Sequence, residues 1–150
     1  MKLALGCDHG AYELKEAIKG YLDSKGIEYT DFGCYGKESV DYPVFAYKAA
    51  KAVADGVCDF GVLCCTTGLG ISMAANKVKG IRAAVCTSEH LAEMTRRHNN
   101  ANCICMGAAV VSQELAFSMI DIFIFTEFEG GRHSRRVDEI TAIENGEVLE

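Results

Sequence analysis

Short apolar runs alternate with amphipathic stretches from one end of the chain to the other. After the first apolar run, Ala11, Leu14, Ile18 and Leu22 recur at helical spacing, and Gly26 is placed to end the helix that they form. Such alternation is typical of βαβ units, in which helices connect parallel strands. The pattern therefore predicts an α/β fold.

The apolar runs predict strands over residues 3–6, 27–32, 59–65, 81–86 and 102–106. The later amphipathic stretches predict helices over residues 45–54 (beginning near Pro43), 68–76, 88–97 (capped by Thr87 or Ser88), 113–125 and about 133–144. We expect one domain, residues 1–150, built as a doubly wound, Rossmann- or flavodoxin-like five-stranded parallel sheet. Helices should cover both faces, and a C-terminal helix should follow.

Two loops carry most of the candidate chemistry. In a doubly wound sheet, ligands bind beyond the carboxyl ends of the strands, at the point where strand order reverses. With the strand order 2-1-3-4-5, that crevice lies between strands one and three. The loops that follow these strands are residues 7–10 and 65–70, so the sequence predicts that they are neighbours.

Charge and cysteine usage narrow the class of protein. Lys and Arg number 15 against 21 Asp and Glu, a net charge of −6, which argues against a nucleic-acid or anionic-membrane binder. No run approaches the length of a membrane span, and the short apolar start does not resemble a signal peptide, so a cytoplasmic location is expected. The eight cysteines include no C-x-x-C pair and are expected to be mostly reduced core residues.

The segment Thr66–Gly70 stands at a strand-to-helix junction, where bare N–H groups can hold an anion or an oxyanion. The alternative is that Gly68 and Gly70 serve only a tight turn. Cys65 ends the preceding strand, where its thiol could act as a base or nucleophile. Because successive strand residues face opposite sides, Cys64 and Cys65 cannot both point into one site.

Acid–base candidates follow the first strand and the fourth helix. Asp8 and His9 could move or orient protons, although Asp8 could equally cap the first helix. His98 and Asn99 stand at a helix C-terminus, where a histidine can also be merely a favourable charge. His90 is expected on the surface.

Three of the six arginines lie in five positions, at Arg132, Arg135 and Arg136. Cations at a helix N-terminus oppose the helix dipole, so helix stability does not explain them. Arg132 and Arg136 are four residues apart and share a helix face, whereas Arg135 points elsewhere. The pair suits a phosphate clamp better than it suits a solvated basic patch.

These residues together resemble type B ribose-5-phosphate isomerase, in a family that also holds galactose-6-phosphate isomerase subunits. The resemblance spans the chain and rests on the following segments, in order: Gly6-Cys7-Asp8-His9-Gly10, Asp41-Tyr42-Pro43, Cys65-x-Thr67-Gly68-x-Gly70-Ile71-Ser72, Ala74-Ala75-Asn76-Lys77, Gly80-Ile81-Arg82-Ala83, His98-Asn99 and Gly130-Gly131-Arg132-His133-x-x-Arg136.

The resemblance implies an aldose–ketose isomerase of a small sugar phosphate that needs neither cofactor nor metal. It also implies a homodimer with shared active sites and leaves open whether two dimers pair into a tetramer. His98, assisted by Asp8, would open the sugar ring, with His98 and Asn99 reaching in from the partner chain. Cys65 would carry the proton from C2 to C1.

Further roles follow from the same resemblance. The N–H groups of Thr66, Gly68, Leu69 and Gly70 would hold the enediolate oxygens, while Thr67 would move a proton between them. The phosphate would be bound by His9, Arg132 and Arg136, and Tyr42 would line the sugar.

Two departures from the family pattern bear on the substrate. Thr66 stands where a glycine is usual, and Ala109 stands where an arginine is common, which removes a potential phosphate contact. Allose 6-phosphate, galactose 6-phosphate and a tetrose phosphate therefore stay open as alternatives to ribose 5-phosphate. In a different class, the chain would be a nucleotide- or anion-binding module without catalysis, and a thiol redox protein ranks behind both.

Overall fold

The computed structural model describes all residues, 1–150, and contains one sheet of five parallel strands. The strands are β1 (Lys2–Cys7), β2 (Glu28–Asp31), β3 (Phe60–Cys65), β4 (Ala83–Val85) and β5 (Cys103–Gly107). Every strand pair is parallel, as the alternation of apolar and amphipathic segments predicts. The α/β fold class is confirmed.

Six α-helices connect and flank the strands, and a short 3₁₀ turn, His9–Ala11, precedes the first. They are α1 (Tyr12–Lys25), α2 (Tyr42–Ala54), α3 (Leu69–Ala75), α4 (Glu89–Asn99), α5 (Gln113–Phe125) and α6 (Arg132–Glu144). Gly26 ends α1 in the left-handed region with φ 67°, and the Ser88 side chain caps α4 by accepting from the Leu91 N–H. No helix has the length and hydrophobicity to cross a bilayer.

The strand order is β2-β1-β3-β5-β4, so the expected order 2-1-3-4-5 is wrong for the last two strands. β5 is buried along its whole length, as an interior strand must be, whereas β4 is short and half-exposed, which suits an edge. The crevice between β1 and β3 is unaffected by this exchange.

Two hydrophobic cores cover the two faces of the sheet, and β3 divides its side chains between them. Val62 and Cys64 join the core formed with α1 and α5, whereas Leu63 and Cys65 join the core formed with α2 and α3. The prediction that Cys64 and Cys65 point to opposite faces is confirmed. All eight cysteines are buried and free.

One buried charge fixes the segment after β2. Lys15 is 1% exposed, and its Nζ donates to both Asp31 carboxylate oxygens at 2.6 and 2.7 Å and to the Cys34 carbonyl at 2.6 Å. A buried ammonium is stable only with such full pairing. The contact holds the 31–34 segment beside the end of β1, where the Cys7 N–H donates to the Gly33 carbonyl.

Candidate active site

The loops after β1 and β3 are in contact, as predicted. The Asp8 N–H donates to the Cys64 carbonyl at 3.2 Å, which joins the two loops at the carboxyl edge of the sheet. A Cβ at Gly10 would collide with the Thr66 hydroxyl, so a larger residue there would force the Thr66 side chain to move. The two loops therefore form one surface.

Asp8 and His9 each have a defined structural partner at this edge. The Asp8 side chain is largely buried and accepts from the Ala11 N–H at 3.2 Å, so the capping role is present. His9 Nδ1 accepts from the Val40 N–H at 3.1 Å. Since Nδ1 is an acceptor, the neutral ring carries its proton on Nε2, which is left as a donor.

Cys65 lies at the end of β3 and is only 4% exposed. Its Sγ accepts from the Gly68 N–H at 3.1 Å, and an N–H aimed at sulfur stabilises the thiolate. Burial raises the pKa of other strand thiols, that of Cys103 to about 12. Those thiols stay protonated at neutral pH and serve packing.

The segment after Cys65 presents backbone donors. The N–H groups of Thr66, Thr67 and Gly70 have no acceptor in the chain, while the Leu69 N–H donates to Thr67 Oγ1 at 3.3 Å. Because α3 spans only seven residues, the donors that this segment can offer to an anion are its individual N–H groups and not a helix dipole.

Glycines determine the shape of that segment. Gly68 has φ 83°, and a Cβ on it would lie 2.8 Å from the Met106 carbonyl carbon. A Cβ on Gly107, at the end of β5, would lie 2.5 Å from the Thr67 carbonyl carbon. Glycine at both positions lets the donor segment rest against β5.

Tyr42 covers the far end of the donor segment. It begins α2, and a Cβ on Gly70 would lie 2.6 Å from its ring. Tyr47 on α2 and Leu69 and Met73 on α3 are also exposed apolar side chains. We call Asp8, His9, Tyr42 and residues 65–70 the carboxyl-edge cluster.

The remaining predicted residues lie at the opposite edge of the sheet. His98 is in the last turn of α4, which leads to the start of β5, and there the Asn102 carbonyl accepts from the Gly61 N–H at the start of β3. From Gly61 to Cys65, β3 rises about 13 Å. Within one chain, the structure therefore does not bring His98 and Cys65 together.

Arg132 and Arg136 are near His98 because α5 returns the chain to the same edge and a turn then begins α6. Gly130 and Gly131 form that turn, with φ 66° and 57°. His133 follows, and its ring stacks on that of His98 with the centroids 4.2 Å apart. Neither Arg132 nor Arg136 has a hydrogen bond or ion pair in the chain, so both are available to an anion.

Asn99 and Arg135 are the remaining predicted or charged residues at this edge. The Asn99 carbonyl accepts from Arg82 Nε at 3.0 Å, and its side chain is exposed. Arg135 faces Glu139 on the exposed side of α6, as expected.

Two residues that the sequence predictions omitted join His98. Glu129 Oε2 lies 3.7 Å from His98 Nε2 and 3.6 Å from His133 Nε2. His133 stands in the segment 130–136 that carries the family resemblance, but the sequence assigned it no role, and neither Glu129 nor His133 lies on a common helix with His98. We call His98, Asn99, Glu129, Arg132, His133 and Arg136 the amino-edge cluster.

The two imidazoles and the carboxylate could in principle hold a metal ion. An imidazole binds a metal in the plane of its ring, yet these two planes are within 10° of parallel and stacked. A single ion therefore cannot lie in both planes. In addition, the Glu129 carboxylate is already paired with the Arg97 guanidinium at 2.6 Å. The arrangement therefore fits one proton on the two imidazoles better than it fits a metal ion.

Comparison with known proteins gives a consistent result. Residues 3–140 match the model of the ribose/galactose isomerase family. The chain is 47% identical over 143 residues to ribose-5-phosphate isomerase B of Escherichia coli (strain K12), covering 95% of this chain and 96% of that protein. It is also 40% identical over 148 residues to D-erythrulose-4-phosphate isomerase of Pectobacterium atrosepticum, covering 98% and 97%.

A solved structure of ribose-5-phosphate isomerase B from Clostridium thermocellum superposes with a TM-score of 0.96. That protein is 52% identical to this chain, and the match covers 97% of this chain and 99% of that one.

Proposed function

The chain belongs to the ribose/galactose isomerase family, and from that premise we propose that it interconverts ribose 5-phosphate and ribulose 5-phosphate without a metal ion. The family chemistry is aldose–ketose isomerisation. The observation that carries the proposal is the Cys65 thiol, which accepts an N–H and adjoins free backbone donors at the carboxyl edge.

The first step opens the furanose ring. His98 donates a proton to the ring oxygen while Asp8 removes the proton of the anomeric hydroxyl, and the bond between C1 and the ring oxygen breaks. The product is the open-chain aldehyde. A positioned acid and base are needed because both oxygens are weakly reactive at neutral pH.

The second step moves hydrogen from C2 to C1. The Cys65 thiolate removes the C2 proton, and the electron pair forms an enediolate across C1 and C2. Free N–H groups of Thr67 and Gly70 stabilise its oxygens, at about 3–4 kcal/mol for a well-placed donor. The Thr67 hydroxyl transfers a proton from O2 to O1, and the Cys65 thiol returns its proton to C1, which gives the ketose.

The phosphate is bound far from C2. His9 Nε2 offers one donor, and the unpaired Arg132 and Arg136 offer charge-assisted hydrogen bonds. Binding energy at the phosphate holds the reacting end of the sugar in place.

A homodimer supplies the complete site. The carboxyl-edge cluster and the amino-edge cluster lie at opposite ends of one sheet, so a single chain cannot apply both to one sugar. In a two-fold dimer, each cluster of one protomer meets the other cluster of its partner, which makes two identical sites. The exposed apolar side chains of α2 and α3, which include Tyr47 and Met73, support an interface on these two helices.

The catalytic role of Cys65 is tested by the Cys65→Ala variant with ribose 5-phosphate and no added metal. We expect ketose formation by the wild type and a loss of at least about a thousandfold in kcat for the variant. The matched control is Cys64→Ala, which removes a buried thiol on the other face of the sheet. This control should lose stability and keep its kcat; full activity in Cys65→Ala would contradict the assignment.

The proposal that each active site is formed by two subunits is tested by mixing two inactive variants, Cys65→Ala and His98→Asn. Random exchange gives one intact site in each mixed dimer, so activity should return to about one quarter of the wild-type value. If each site lay within a single chain, mixing would restore nothing.

A second substrate class is favoured by one pocket. Gly10, Thr66, Ala109 and Gln113 contribute to a cavity of about 310 Å³ beside the donor segment, and no cation lines it. A different sugar phosphate, such as allose 6-phosphate, galactose 6-phosphate or a tetrose phosphate, would place different groups there. Comparing kcat/KM over these substrates decides between them, and saturable binding without turnover of any would indicate a binding module.

A further inference from the structure

Glu129 is fixed against the last turn of α4 by three contacts. Its N–H donates to the Arg97 carbonyl at 3.0 Å, and its Oε1 accepts from the Arg97 guanidinium at 2.8 Å and pairs with it at 2.6 Å. These contacts leave Oε2 facing away from Arg97, toward the neighbouring imidazoles.

Oε2 is nearly equidistant from the Nε2 atoms of His98 and His133, at 3.7 and 3.6 Å. The rings are stacked with centroids 4.2 Å apart, and His98 Nδ1 has no partner in the chain. One nitrogen of His98 thus faces a carboxylate and the other is open to a ligand. A carboxylate behind an imidazole fixes its orientation and stabilises its charged form.

We propose that Glu129 and His133 are positioning residues for His98: the ionised Glu129 carboxylate stabilises a single proton on the stacked pair, and the buried His133 ring leaves that proton to His98, which then serves as the ring-opening acid. This inference rests on the proposed function and deepens it. It divides the amino-edge cluster into a proton-holding part and a phosphate-binding part, Arg132 and Arg136.

The exposure of the two rings favours a single proton on His98, because a charge is better solvated on the His98 side chain, which is 37% exposed, than on the His133 side chain, which is 10% exposed. Burial lowers the pKa of His133, and the charges of His98, Arg132 and Arg136 lower it further against the opposing effect of Glu129, so His133 stays neutral near pH 7. Two protonated rings at stacking distance would repel each other. On the side of α4, Arg97 is already neutralised by Glu129 and Glu93, so it opposes a proton on His98 only weakly.

Local backbone geometry builds this arrangement. The positive φ angles of Gly130 and Gly131 reverse the chain within one turn, and the His133 N–H donates to the Gly130 carbonyl at 3.1 Å. The turn brings His133 over His98 and places Glu129 at the edge of both rings. Glycine at these two positions therefore allows the turn that stacks His133 on His98.

The first experiment follows the imidazole carbon resonances of wild type and Glu129→Gln by NMR titration. In the wild type, His98 should take up its proton before His133 as the pH falls. In Glu129→Gln, the titration midpoint of His98 should move to lower pH, and Glu129→Asp should restore part of the shift. Unchanged His98 titration in Glu129→Gln would overturn the proposal, whatever reaction the protein catalyses.

The second experiment separates ring opening from proton transfer at carbon. Ribulose 5-phosphate cannot form a furanose because its terminal oxygen carries the phosphate, so exchange of its C1 hydrogen with deuterium from D₂O needs no ring opening. Glu129→Gln should reduce kcat for ribose 5-phosphate about tenfold and leave C1 exchange within about twofold of wild type. Equal losses in both assays would overturn the role in ring opening.

Glu93→Gln is the matched control. It removes the other carboxylate partner of Arg97 and touches neither histidine. The control should match wild type in both assays and in the His98 titration, and an effect as large as that of Glu129→Gln would assign the result to Arg97 instead. If wild type isomerises no sugar phosphate, the proposed function fails while the NMR titration still decides the placement of the proton.

Discussion

The two edges of the sheet are built in different ways. At the carboxyl edge, the groups proposed to contact the reacting carbons are backbone N–H groups and the short side chains of Cys65 and Thr67, and close glycine contacts fix the backbone of this segment. At the amino edge, the groups are long or aromatic side chains on helix ends, and several are exposed. Rigid donors suit an enediolate of fixed geometry, whereas arginine side chains can follow a phosphate.

The strongest test of this contrast is Gly107→Ala. The new Cβ would lie 2.5 Å from the Thr67 carbonyl carbon, so the donor segment must move. We expect a loss of about 1–3 kcal/mol in unfolding free energy and a loss on the order of 100-fold in kcat. Urea unfolding and the isomerase assay measure both.

Gly20→Ala is its control, since a Cβ there meets nothing and lies within α1. The free energy of unfolding of that variant should rise by about 0.5–1 kcal/mol, and its kcat should stay unchanged. A fully active Gly107→Ala protein would show that the carboxyl edge is as adaptable as the amino edge.

At the amino edge, Arg132→Gln and Arg136→Gln should each raise KM for the sugar phosphate about 10- to 100-fold, because a hydrogen bond to a charged group contributes about 1.5–3 kcal/mol. Stability should stay unchanged, since neither side chain has a partner in the chain. Arg135→Gln, on the outer side of α6, should leave KM unaltered. Similar KM values in all three variants would show that the phosphate does not bind at this edge.

Thr66 and Ala109 test whether the carboxyl edge also selects the sugar. Both line the 310 Å³ pocket, and the Thr66 hydroxyl occupies the space above Gly10. Thr66→Gly with Ala109→Arg should lower KM for ribose 5-phosphate about threefold to tenfold by adding a cation near the substrate. An equal change for a tetrose phosphate and for ribose 5-phosphate would show that the pocket does not discriminate between them.

Sequence patterns predicted the carboxyl edge better than the amino edge, for a physical reason. Strand alternation fixes which face Cys65 occupies, and parallel strands bring their carboxyl ends together, so the meeting of Gly10 and Thr66 follows from topology. The order of β4 and β5 could not be predicted from topology, because the connecting segments are long enough for either strand to lie beside β3. The unbroken burial of β5 in the structure is consistent with its apolar sequence.

The charged contacts of the helices were harder to foresee. A lysine within a helix is normally expected to be exposed to solvent, and only the contact of Lys15 with Asp31 in the folded chain explains its burial. Glu129 likewise acts on His98 through a contact between elements far apart in the chain. Arg132 and Arg136 were identifiable because they break the helix-dipole rule, but the distance of His98 from Cys65 within one chain is a property of the fold.

The smallest predicted effect concerns the pH dependence of stability at the amino edge. Burial lowers the pKa of His133 below its ordinary value of 6.5, so the unfolded chain binds this proton more tightly than the folded one. Stability should therefore fall as the pH drops below about 6.5 and should level off below the folded-state pKa. Glu129 titrates at lower pH, since Arg97 lowers its pKa below 4.5, and it does not interfere in this window.

Replacing His133 by Gln should remove this component, so Tm should fall less between pH 7.5 and 5.5 in His133→Gln than in wild type. His90→Gln, at an exposed position of α4, should behave as wild type because that side chain has no partner in the chain. Identical pH profiles for wild type and His133→Gln would mean that His133 is free to protonate in the fold. The stacked pair would then carry two charges, and the amino edge would bind anions through its histidines as well as its arginines.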